Sequence, residues 1–107
     1  MPELCRFWGI VIVMYFRDHL PPHFHAAYGK GDKRGRGGFE AQININTTEV
    51  MEGSLPRPQL ALVLAWATIN QAALLRAWNL AVQGKNPGKI PPLTFKKEKK
   101  KGKGKKK

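Results

Sequence analysis

The hydrophobic period of this chain changes once, between Ser54 and Pro58, and that change sets the class of fold it can adopt. Downstream, Leu60, Val63, Leu64, Ala67, Gln71, Leu74, Leu75, Trp78 and Val82 recur at three-and-four spacing, the signature of helices with one apolar face. Pro56 and Pro58 suit a first helical turn, where a missing N–H costs nothing, and Gly84 suits the stop. Thr68-Ile69-Asn70 interrupts the pattern, and Asn70 is placed to cap a second helix starting at Gln71. The expectation is two helices, near residues 56–69 and 71–83.

Upstream the period is two. Phe39, Ala41, Ile43 and Ile45 alternate with Glu40, Gln42, Asn44 and Asn46, as in a half-buried antiparallel strand. Asn46-Thr47 supply a turn, and residues 48–52 add a short edge strand that Gly53 ends. His23 to Tyr28 form another strand. The run FWGIVIVMYF, residues 7–16, is apolar on both alternating sets and reads as one core strand covered on both faces. Arg17, Asp18 and Leu20-Pro21-Pro22 break it, because proline has no N–H to give the ladder. The expected architecture is α+β: a three- or four-stranded, mainly antiparallel sheet from residues 6 to 52, followed by two C-terminal helices packed on one face. Two short helices cover only one face, so a homodimer or a protein partner is expected on the other.

A length of 107 residues allows one domain, assigned to 1–93, and excludes a large two-domain cofactor enzyme. Residues 94–107 are a lysine-rich tail expected to be disordered. The formal net charge is +12, of which residues 96–107 carry +8 (nine Lys, one Glu) and the rest +4. Such a balance favours an anionic partner, RNA or another polyanion. One cysteine, Cys5, permits no internal disulfide and no cysteine metal cluster, which suits a reducing, cytoplasmic setting. The run 7–16 is far shorter than the ~20 apolar residues of a membrane helix, and no small-x-small cleavage site follows it, so no membrane association is expected.

All three histidines fall within Asp18-His19-Leu20-Pro21-Pro22-His23-Phe24-His25-Ala26. On an extended segment His23 and His25 share a face, and the Pro-Pro turn can return His19 or Asp18 toward them. Three uses compete. Packing and hydrogen bonding beside the turn is the plainest. Acid–base chemistry on a phosphodiester is the next, with His19, His23 and His25 as candidate catalytic residues and Arg17 stabilising an anion. A zinc ion on His19, His23 and His25 with one water ranks last, because the spacing fits no standard zinc pattern. No metal and no cofactor are therefore expected. Gly29–Gly38 holds five glycines with Lys30, Lys33, Arg34 and Arg36, a basic loop suited to nucleic-acid phosphates. Trp8, Trp66 and Trp78 follow the strand and helix periods and read as core. No Walker loop, dinucleotide fingerprint or nucleophile elbow is present.

Arg6-Phe7-Trp8-Gly9-Ile10, Asp18-His19, Pro21 to Ala26 (PPHFHA), Glu52 to Pro56 (EGSLP), Leu64 to Ala67 and Trp78 together resemble domain-of-unknown-function family 4160, small bacterial proteins, over residues 1–93. The resemblance implies a small α+β fold and the toxin half of a toxin–antitoxin pair acting on RNA or translation, beside a small antitoxin-like protein encoded nearby. Where the family commonly carries acidic residues this chain has Ala27, Ala72 and Ala73, so no carboxylate role is carried over there. The leading expectation is a basic, RNA-directed toxin-like protein. The alternative is a non-catalytic nucleic-acid-binding or regulatory module. If the protein is an enzyme, metal-independent ribonuclease-like chemistry is favoured over a zinc hydrolase.

Overall fold

The computed structural model describes residues 2–29 and 38–93. Five strands precede two helices: β1 (Glu3–Phe7), β2 (Ile10–Val13), β3 (His23–Tyr28), β4 (Phe39–Asn44), β5 (Val50–Ser54), α1 (Arg57–Ile69) and α2 (Gln71–Val82). The sheet runs β1-β2-β3-β4-β5, every neighbouring pair antiparallel. The α+β class and both helix positions match the sequence expectation, and the sheet has one or two more strands than expected.

The additional strand arises because the run 7–16 is not one strand: it holds a hairpin turn at Trp8-Gly9, with β1 leading into it from Glu3 and β2 leaving it. Phe7 pairs with Ile10 across Trp8-Gly9, whose φ values are 47° and 79°. Two consecutive positive φ angles make the tight turn whose twist matches that of a hairpin. The turn leaves only Ile10–Val13 as a strand interior to the sheet, and the second apolar set shrinks on that strand to Val11 and Val13, both half-buried. The large apolar face that called for a covering partner is thereby reduced.

Cys5, Phe7, Ile10, Ile12, Phe24, Ala26, Ala41 and Ile43 are buried. Trp66 of α1 is the centre of this layer, with its ring 5.9 Å from Phe7 and edge-on to Phe24 at 5.7 Å. Its indole N–H donates to the Pro91 carbonyl at 2.8 Å, and the Ile90 amide donates to the Leu4 carbonyl, so the C-terminal segment is tied back over the core. The sequence expectation of Trp66 and Trp78 as core holds, whereas Trp8 sits half-exposed in its turn.

α1 and α2 meet at an angle of 84° about Asn70. Asn70 does not cap α2 with its side chain: Nδ2 turns back and donates to the Trp66 carbonyl at 2.9 Å, terminating α1. The start of α2 is held instead by Gln71, whose Nε2 donates to the carbonyls of Ile45 and Asn46. α2 stops at Gly84, as expected, with the Gly84 and Arg17 amides both donating to the Ala81 carbonyl at 2.9 Å. Gly53 lies inside β5 and does not end it. No single helix among the described residues is long and apolar enough to cross a membrane.

Candidate functional site

The site forms where the bend between β2 and β3 folds back on the start of β3. Strand alternation puts His23 and His25 on the face opposite Phe24, His25 in the cross-strand row Val13–His25–Gln42–Glu52 and His23 opposite Asn44. His23 is 1% exposed and stacks at 5.3 Å on Trp78 of α2; His25 is 7% exposed and meets the Tyr15 ring edge-on at 4.4 Å. The two imidazole centroids are 5.3 Å apart.

Each ring has its Nδ1 occupied. The Pro21 carbonyl lies 2.7 Å from His23 Nδ1, and a carbonyl can only accept, so that nitrogen carries the proton. Glu40, reaching diagonally from β4, places Oε2 2.9 Å from His25 Nδ1 and orients that ring likewise. Both Nε2 atoms are buried and have no hydrogen-bond partner among the described residues. Asp18 Oδ2 stands 3.1 Å from His23 Nε2 and 3.7 Å from His25 Nε2, close but not in a hydrogen-bonding direction.

Asp18 is held in place by its own backbone neighbour, since the His19 amide donates to Oδ1 at 2.8 Å. Burial pushes its carboxyl up, but the His19 amide bond and the nearby histidines together outweigh this and hold it below the ordinary Asp value. The group is ionised at neutral pH. Tyr15 is shifted the other way, upward, by burial first and then by the charges of Glu40 and Asp18.

The structure brings His23 and His25 together with Asp18, as the proline turn allowed, with His19 at the outer edge of the cluster and Arg17 turned to the end of α2. His19 points outward with its side chain 74% exposed, its Nε2 3.6 Å from Asp18 Oδ1 and its ring 5.3 Å from that of His23. The set that converges is thus two histidines and one carboxylate, not the three histidines of the sequence-level zinc reading. Arg17, with φ 54°, lays its guanidinium over Gly84 at the C-terminal end of α2, where a cation complements the helix dipole. Lys30, Lys33, Arg34, Arg36 and the lysine tail lie outside the described residues.

Sequence reading missed Glu40 and Tyr15. Glu40 sits on the polar set of a half-buried strand, where a carboxylate ordinarily means solvent, and only the β3–β4 register reveals the histidine beside it. A surface cleft lined by Ile69, Asn70, Pro91, Pro92 and Leu93 shares no residue with the cluster.

Fold and site together define a small α+β protein built around a buried His–Asp cluster at a proline bend. The family model described as Domain of unknown function (DUF4160) matches residues 9–79, more than half of the chain, and the chain belongs to that family. No curated protein and no solved structure matches it.

Proposed function

We propose that this protein is an RNA-directed, toxin-like component of a bacterial toxin–antitoxin pair, kept in check by a small protein partner, with the Asp18–His23–His25 cluster as its working centre. One observation carries the reading. An ionised carboxylate and two imidazoles with unused Nε2 atoms meet beside the exposed His19, in a chain of net charge +12. Groups of this kind exchange protons near neutral pH, and the positive charge of the chain would draw a polyanion toward them.

The second reading, a non-catalytic nucleic-acid-binding module, is favoured by the +8 carried by residues 96–107, which would bind polyanions without any site. The two separate in a growth-inhibition assay run beside RNA titrations at several salt concentrations. Counterion release lowers log affinity by about 0.7 to 0.9 per log unit of salt for each phosphate neutralised. Deleting residues 96–107 should flatten that dependence while inhibition survives. His25→Gln, shown to be folded by circular dichroism, should abolish inhibition while the salt slope stays. If the tail deletion alone removes inhibition and folded His25→Gln retains it, the binding-module reading replaces the toxin reading.

A further inference from the structure

We propose that Asp18, His23 and His25 form a binding site for one first-row divalent metal ion of the zinc type, held by Asp18 Oδ2 and the two Nε2 atoms. The proposal concerns the cluster described above but does not depend on RNA being its target. It stands against the expectation from sequence spacing, and the tertiary contacts are what reverse that expectation.

The Pro21 carbonyl and the Glu40 carboxylate occupy the Nδ1–H of His23 and His25, which leaves Nε2 of each ring as the nitrogen turned to the interior and free to ligate. Both Nε2 atoms are buried, both lack a hydrogen bond among the described residues, and both lie within 3.7 Å of a carboxylate oxygen that can only accept. Three electron-pair donors converging in a desolvated space repel one another unless a cation sits among them. A proton on Nε2 is the competing cation, but one proton pairs a single ring with Asp18 and leaves the other buried Nε2 without a partner.

A metal ion satisfies all three donors at once. One ligand atom from each residue lies within 4.8 Å of the others. Zinc with bonds of about 2.0–2.1 Å spans donor–donor edges of roughly 3.3 Å; the two edges from Asp18 Oδ2, 3.1 and 3.7 Å, bracket that value, and the edge between the two histidines lies within 4.8 Å and would close by a small rotation of the rings as the ion binds. The surroundings also have the form of a metal site, because a metal-bound histidine gives its other N–H to a carbonyl or carboxylate that fixes the ring. Pro21 does this for His23 and Glu40 for His25. Two imidazoles and a carboxylate without thiolate suit Zn²⁺ and its first-row neighbours better than Mg²⁺ or Ca²⁺. Asp18 is the most accessible of the three side chains, at 18% against 1% and 9%, so solvent or an anionic ligand would complete the coordination from its side, next to His19.

The test is a titration of tag-free, chelator-stripped full-length protein with Zn²⁺ by calorimetry, and with Co²⁺ followed by its visible absorption. One ion per chain is expected, with cobalt bands of four- or five-coordinate geometry. Asp18→Asn and His25→Ala should each weaken binding at least tenfold, Glu40→Gln should weaken it by about 10-fold or more through the lost support of His25, and His19→Ala should leave it within threefold. Should His25→Ala fail to fold, Asp18→Asn and the imidazole ¹⁵N signals of the parent decide. Metal on Nε2 of His23 and His25 supports the proposal. Protons on both Nε2 atoms in the presence of zinc, absence of saturable binding, or parent-like affinity in folded Asp18→Asn overturns it. None of these readouts involves growth inhibition, so the metal site and the toxin reading fail separately.

Discussion

Pro21 sets the tautomer of His23. Its carbonyl oxygen, 2.7 Å from Nδ1, requires the proton there and leaves Nε2 as the nitrogen turned to Asp18, 3.1 Å away. The segment that makes the bend therefore also decides which face of the imidazole reaches the interior, and His25 is oriented in the same sense by Glu40.

His23 and His19 should differ sharply in what they contribute to stability. His23 is buried against Trp78, and His23→Ala would leave a cavity there and strip the Pro21 carbonyl of its donor. A loss of about 2–4 kcal/mol is expected. His19→Ala, at an exposed position, should change stability by no more than about 0.5 kcal/mol. Urea unfolding of both variants measures the contrast, and equal costs would mean that the ring does not pack as described.

Gly53 should tolerate no side chain. It lies in β5 opposite Ala41 with φ 81°, and a Cβ there would collide with the Glu40 carbonyl oxygen. Positive φ alone costs an L-residue about 1 kcal/mol, and displacing the β4 backbone adds to it. Gly53→Ala should thus lose about 2–3 kcal/mol and weaken amide protection in β5, measured by urea unfolding and hydrogen exchange. A loss below about 0.5 kcal/mol would show that the two strands do not approach as closely as they do here.

Cys5 should make the fold sensitive to alkali. Burial first, then the charge of Glu3, push its thiol from 9.0 to about 12, against a smaller opposing effect of Lys89. A raised acid holds its proton more tightly in the native state than in the unfolded chain, so its contribution is complete below pH 9 and is lost as pH climbs toward 12. Unfolding free energy should fall by up to about 1.4 kcal/mol per pH unit across that window, and Cys5→Ala should show a shallower fall. At pH 8 the native thiol should resist a disulfide reagent and react on addition of urea. Immediate reaction in the native protein would contradict the buried position.

The parts of this protein legible in its sequence are those set by local periodicity and local backbone chemistry. Helical spacing from Leu60 to Val82, with Pro56, Pro58 and Gly84 at its ends, located α1 and α2. Period-two alternation located β4 and put His23 and His25 on one face. The proline pair marked the bend that returns Asp18. What the sequence could not settle depends on pairing across the sheet. The turn at Trp8-Gly9 is hidden because tryptophan carries none of the usual signal for positive φ and has apolar residues on both sides. Glu40 comes to His25 only through the β3–β4 register, and the start of α2 is held by Gln71 on the sheet while Asn70 turns back to Trp66. Side-chain identity and period decide which face a residue occupies; which neighbours meet it there, and so whether three donors converge on one point, is decided by long-range register and burial, where a single interaction depends on residues far apart in the chain.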